Sequence, residues 1–456
     1  MVSADNLNLD CLELIFAHLS VNDLVSVSLV SRSFLAGVIP RLYRTLLIRL
    51  NQTKRYPAII SPFATVLAHP NLARHVRHID IRTVPAVKST PRPDFLRDCS
   101  LTIALCLNLV SFTCTPNVLP SFLLDLQRKE SLQHLRVNAT LTPDQAHQLA
   151  QIRNLNSITL DTATPHTVDV LSRWSANLTA TLTTLTLFAI QDLSECILES
   201  TLANLPKLTG LHVVNCMKID HNIVLRLVSY TPRLESLSFT SWETTRPTPL
   251  LPVSASLRLL KHLSVDTRCE LSPNATPSLW NAIIQLTRAW SCSLKSITLK
   301  LSDKVLIGDL FIKELLDTHG ATLTHMALLN CALSLVSVRS ICTRCVDLER
   351  FAINIPVKDL YSFADALAAS KSLHTLSDIG DTHHSVHGQR IFVSKPDIYT
   401  IMEAVPKLQR IITDGRVWTA IRWPSKVSMN DQIKLHLERK KSPPNHWFMP
   451  PAGCNT

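Results

Sequence analysis

Residues 208–213 read LTGLHV, and residues 234–239, 26 positions later, read LESLSF. The shared pattern is L-x-x-L-x-L, with its last two apolar residues two positions apart. In an extended segment that alternation sends both to the same side of a short strand. Working outward, the hexamer recurs with Ile, Val, Phe or Met substituting. It begins at Val76, Leu109, Leu132, Leu155, Leu182, Leu208, Leu234, Leu260, Leu294, Leu323 and Leu348, at offsets of 23 to 34 residues. Between copies lie helical patterns, such as residues 220–230 with Ile223, Leu225 and Leu227. Neither half of such a unit buries its apolar side alone, but stacked copies share one continuous core. Two weaker copies at Leu373 and Leu408 place Asp378 and Thr413 where an apolar residue is expected.

This period resembles that of leucine-rich repeats, over roughly residues 71–415. The resemblance implies an α/β fold: a curved horseshoe solenoid whose parallel sheet lines the concave side. The Asn or Cys that usually satisfies backbone groups after each strand is sparse, appearing as Asn117, Cys216 and Cys331. Residues 273–290 form an insertion with Pro273, Pro277, Trp280, Ile283 and Trp290. It either projects a recognition loop or thickens the convex side. Period-two alternation turns His78, Arg82, His134, Arg136, His212, His262, Lys300, His325 and Arg350 onto the concave face. We take these nine as the candidate target-binding surface. Asp161 and Asp266 are its main acidic exceptions, so an acidic or phosphorylated ligand is the inference from charge.

Composition narrows the function. The chain has 456 residues, a net charge of +11, 73 leucines and only 8 glycines. Average usage of about 7 % would give roughly 32 glycines. No GxGxxG, GxxxxGK or GxSxG is present, which argues against dinucleotide, P-loop and α/β-hydrolase chemistry. The basic excess is spread along the chain without interleaved aromatics, so it reads as a solvated surface and nucleic acid is not expected. Twelve cysteines in so long a chain do not make a disulfide framework. Cys342 and Cys345 read as structural residues of a helix. Asp381, His383, His384 and His387 share a loop without a framing helix, and no metal or cofactor is expected there. The uncharged run from Cys99 to Leu124 contains Asn108, Pro116, Asn117 and Pro120, and its leucines fit the repeat. It reads as a buried strand and turn, and no membrane association is expected. The opening MVSADNLNLD lacks a basic region followed by an apolar run, so the expected location is cytoplasmic or nuclear.

The first fifty residues differ from the rest. Leu12, Ile15, Phe16 and Leu19 make one helical stripe, and Leu24, Val27 and Val30 a second. Ser31 caps a third helix with Phe34, Leu35 and Val38. A module of this size buries too little apolar surface by itself and usually needs a partner. These residues resemble an F-box, the helical motif that docks F-box proteins onto the Skp adaptor of a cullin–RING ubiquitin ligase. The matching positions are Leu7, Asp10, Leu12, Ile15, Phe16, Leu19, Asp23, Leu24, residues 28–32 and Phe34, with Pro40 to Arg44 as a fungal-type extension. The sequence departs from the family at Asn8, where proline usually stands.

The resemblance implies adaptor contacts at Leu7, Asn8, Leu12, Ile15, Phe16, Leu19, Leu24, Leu29, Val30 and Phe34. It implies a substrate-recognition subunit without catalysis of its own, bound to Skp and through it to a cullin, and to a protein target. The alternative is a repeat scaffold without a ligase. The expected organisation is an F-box at 1–50, a linker at 51–70, a solenoid at 71–424 and a polar Pro- and Lys-containing tail at 425–456.

Overall fold

The computed structural model describes residues 8–19, 21–243, 256–269, 276–379, 393–423, 432–439 and 445–450. The chain forms two compact units, residues 1–208 with 216–218 and residues 209–215 with 219–456.

The first unit opens with three helices, α1 (Leu9–Phe16), α2 (Val21–Ser28) and α3 (Arg32–Leu42). Six parallel strands follow: β1 (Thr45–Ile48), β2 (His78–Ile81), β3 (Ser111–Cys114), β4 (His134–Ala139), β5 (Ser157–Ala163) and β6 (Thr184–Phe188). The hexamers beginning at Val76, Leu109, Leu132, Leu155 and Leu182 each lead into one of β2–β6. Their inward residues, such as Phe112, Leu135, Ile158 and Leu185, stack in register and are buried.

Residues 51–70 are not the expected linker. The first strand lies earlier, at Thr45–Ile48, where Tyr43 occupies the first hexamer position and Leu46 and Ile48 are buried. Helices Leu50–Lys54 and Pro62–Ala68 form its return, and Phe63 and Val66 are completely buried. The run from Cys99 also differs from its reading as strand and turn. Its first seven residues complete the helix Pro93–Leu105, anchored where the Thr102 hydroxyl donates to the carbonyl of Phe63. Among the described residues no helix is long and apolar enough to cross a membrane.

The strands of the second unit are β7 (Gly210–Val214), β8 (Ser236–Glu243), β9 (His262–Cys269), β10 (Ser296–Leu306), β11 (His325–Ala332), β12 (Arg350–Ile353), β13 (Thr375–Asp378) and β14 (Arg410–Thr413), all parallel. Ser334 and Asp220 cap return helices by accepting from the amides of Ser337 and Ile223. The 273–290 insertion supplies another return, Ser278–Ala289. Trp280 in it is buried and donates from Nε1 to the Thr267 hydroxyl at 2.8 Å, so its described part thickens the helical layer.

Past β14 the stack ends differently. Asp414 and Gly415 both adopt positive φ, 49° and 69°, and turn the chain into β15 (Arg416–Trp423) and β16 (Gln432–Arg439), which pair antiparallel. The solvated tail expected from 425 therefore contributes a strand to the sheet.

The polar residues in the two weak repeats satisfy one another. Thr413 Oγ1 donates to Asp378 Oδ2 at 3.0 Å, and the Ile355 amide donates to Asp378 Oδ1 at 3.2 Å. Removing that carboxylate leaves partly buried donors without their acceptor, at about 1–3 kcal/mol. Asp378→Ala is expected to lower the stability of the second unit by that amount, read as a lowered denaturation midpoint.

Candidate functional site

Two surfaces stand out, one on the N-terminal helices and one on the sheet face turned away from the return helices. In the helical module Leu12, Phe16, Leu24 and Val38 form the core, with Leu19, Val27, Phe34 and Leu42 packed against them. The rings of Phe16 and Phe34 lie 5.5 Å apart, and Ser31 caps α3 on the Phe34 amide. Gly37 permits the close approach of α3 to α1, since an added Cβ there would sit 3.0 Å from Leu12 Cβ. Leu12, Phe16 and Leu24, expected as adaptor contacts, are therefore interior residues. They have no free surface to offer, and they shape the module.

The uncovered apolar side chains are Ile15 at 51 % exposure, Leu29 at 83 % and Val30 at 67 %, together with Leu9, Leu14, Val25 and Leu35. The last four were not among the motif-matching positions, and of them only Leu14 and Val25 lie off the buried stripe by helical spacing. Asn8 begins α1 at φ −59° without a side-chain cap, a backbone angle that proline would also adopt. Leu7 lies outside the described residues.

On the open sheet face the strand register builds rows of side chains. In the first unit one row runs His78, Ser111, His134, Ser157, Thr184. Its cations are spoken for: Arg82 pairs with Asp80 at 3.0 Å, and Arg136 with Asp161 at 2.7 Å. Desolvation lowers the pKa of His78 and of His134 below the ordinary histidine value.

In the second unit the first row runs Gly210, Ser236, His262, Ser296, His325, Arg350, and the next runs His212, Ser238, Ser264, Thr298. His212 is 1 % exposed and His262 is buried. Burial first, then the neighbouring His262 and His446, pushes His212 down to about 3. Burial and Arg350 push His325 down to about 4. Lys300 and Arg268 both reach the buried Asp266 carboxylate, at 3.6 Å and 3.3 Å. The expectation of a basic face thus fails for its histidines. They are neutral at pH 7, because desolvation disfavours the charged imidazole.

His212 is buried because another part of the chain lies on it. Residues 445–450, Asn-His-Trp-Phe-Met-Pro, pack on β7–β10. Ser238 and Ser264 each donate a hydroxyl hydrogen to the Phe448 carbonyl at 3.0 Å. His212 Nδ1 stands 2.8 Å from Ser238 Oγ, whose only proton is already given, so Nδ1–H is the donor. The Phe448 side chain is 1 % exposed, stacked on His446 at 4.9 Å and 6.0 Å from the His212 ring. Lys300 Nζ sits 4.8 Å from the centre of the Trp447 ring. The tail's sequence carried one signal of this, an aromatic pair within an otherwise polar segment.

Cys342 and Cys345 are buried thiols pushed up to about 12 by desolvation, chemically quiet as expected. The loop holding Asp381, His383, His384 and His387 lies outside the described residues. Among the described residues no group of three His, Cys, Asp or Glu side chains could hold a metal ion.

With this geometry in hand, residues 5–36 match the family model of the F-box domain. The N-terminal module is an F-box. It precedes repeats of the leucine-rich kind, as the fold shows. No curated protein matches the chain. Among solved structures it is similar to Rad7 in a crystal structure of the yeast Rad7 and Elc1 complex, at 14 % identity over 85 % of this chain and 91 % of that one, with a TM-score of 0.44. It is also similar to a chain of the TLR13–ssRNA13 complex, at 12 % identity over 74 % and 50 %, with a TM-score of 0.34. At such scores neither likeness bears on partner or ligand. The F-box is the informative match.

The buried histidines make stability depend on pH. An imidazole whose folded pKa lies below the unfolded value of about 6.5 stabilises fully above 6.5, and that contribution is lost as pH falls toward the folded pKa. His212, His319 and His325 all have this sign. The second unit's melting temperature is expected to fall progressively from pH 6.5 to 4. A profile flat across that interval would contradict their burial.

Proposed function

We propose that this chain is the substrate-recognition subunit of a Skp–cullin–F-box ubiquitin ligase. The F-box holds the Skp adaptor and, through it, the cullin. The open face of the repeats holds a target protein, raising its effective concentration beside the ubiquitin-loaded enzyme. The chain performs no bond chemistry itself. It acts in the cytoplasm or nucleus.

The observation that carries this reading is the F-box match together with what the module leaves uncovered. Ile15 projects from α1, and Leu29 and Val30 from the turn after α2, and apolar side chains left in solvent together mark interaction surfaces. Leu12, Phe16 and Leu24 act beneath them by holding the helices in place. Asn8 is compatible with adaptor docking, because it already holds the φ that the family's proline would impose. On the repeats, His78, Arg82, His134, Arg136, His262, Lys300, His325 and Arg350 contribute to the target surface through shape and hydrogen bonding more than through charge.

The two classes of adaptor-side residue separate experimentally. Ile15→Asp changes a surface position, and is expected to abolish co-purification of the Skp adaptor while leaving the melting of the repeats unchanged. Leu12→Ala removes a core side chain, costs about 2–5 kcal/mol, and is expected to lose the adaptor by loosening the module. Normal adaptor recovery with Ile15→Asp would favour the scaffold without a ligase.

A further inference from the structure

The residues that bind the segment 445–450 form a built site. Ser238 and Ser264 are partners across adjacent parallel strands, so their hydroxyls stand one strand spacing apart in one row. A single carbonyl oxygen placed between them accepts from both, which uses both of its lone pairs. His212 supports Ser238 from behind. One strand further, Lys300 offers its ammonium to an aromatic face while Asp266 fixes it from the other side.

This arrangement reads a peptide in two ways. The paired hydroxyls grip a main-chain carbonyl, which every residue possesses, and so hold an extended segment without regard to sequence. Selectivity comes from the rings, with a buried phenyl group beside His212 and an indole against Lys300. Buried aromatic anchors in pockets are where interface energy concentrates. The site also has unspent hydrogen-bonding capacity along the same face: among the described residues, His262 Nδ1 and His325 Nδ1 are buried without a hydrogen-bond partner.

We propose that the open face of β7–β10 is a peptide-binding site for an extended segment bearing adjacent Trp and Phe side chains, and that residues 445–450 occupy it in cis. A target with such a segment binds by displacing the chain's own. The proposal rests on the reading of the open face as the target surface, and not on adaptor binding. The tether to β16 gives the resident segment an effective concentration in the millimolar range, so a free peptide competes poorly until the segment is released.

The test uses the full chain without adaptor and a fluorescein-labelled peptide of residues 443–452, PPNHWFMPPA. The double variant Trp447→Ala, Phe448→Ala empties the site, and is expected to bind the peptide at least tenfold more tightly than the wild-type chain. Adding Ser264→Ala to the released chain, or replacing Phe by Ala in the peptide, is expected to weaken binding by about tenfold. Equal binding by released and wild-type chains overturns the proposal. Hydrogen exchange on the wild-type chain decides the matter even if the variant folds poorly: residues 446–449 are expected to exchange more slowly than an unstructured peptide. Exchange at the unstructured rate overturns the proposal as well. Because neither arm contains adaptor, failure here leaves the ligase reading standing, and loss of the adaptor in the F-box variants leaves this site standing.

Discussion

The structure depends on the in-register stacking of apolar residues beneath parallel strands. Each strand turns about two such residues inward, where the adjoining strands and return helices cover them. Phe112, Leu135, Ile158 and Leu185 are consecutive rungs of one such stack, and Leu237, Leu263, Ile297 and Met326 of another. Burial at about 25 cal/mol per Å² of apolar area drives the assembly. Because the side-chain period is two, the same register decides which residues face outward. The rows of histidine, serine and threonine on the open face are therefore a consequence of the leucines beneath them.

This constraint explains what could be read from sequence. Each of the eleven hexamers and both weaker copies leads into a strand, because a stacked repeat must present its apolar pair at nearly the same place in every coil. The F-box was legible for a similar reason, since its core residues recur at helical spacing. The less legible parts are those where the constraint is relaxed. The hexamer leading into the first strand carries Tyr43 in place of the leading leucine. The end of the stack turns on Asp414-Gly415, a hairpin signal that repeat spacing does not anticipate. Burial of His212 and His262 was invisible locally, because the segment next to His212 lies more than two hundred residues away in sequence.

The two surfaces differ in how they are left by folding. The F-box keeps apolar side chains in solvent, which is costly unless a partner covers them. The open face of the second unit is instead partly closed, with its histidines desolvated and Lys300 and Arg268 paired with Asp266. Charge, the most visible property of that face in the sequence, is the property that the fold reduces. What is left for recognition there is hydrogen-bonding geometry and aromatic contact.

In the reading proposed here, the uncovered face of the F-box docks the adaptor. Hydrogen exchange of the full chain, measured with and without purified Skp adaptor, tests it most directly. The expected result is slowed exchange confined to residues 9–35, with the strands of both units unchanged. Protection that appears on the sheet and leaves α1 and α2 untouched would contradict it.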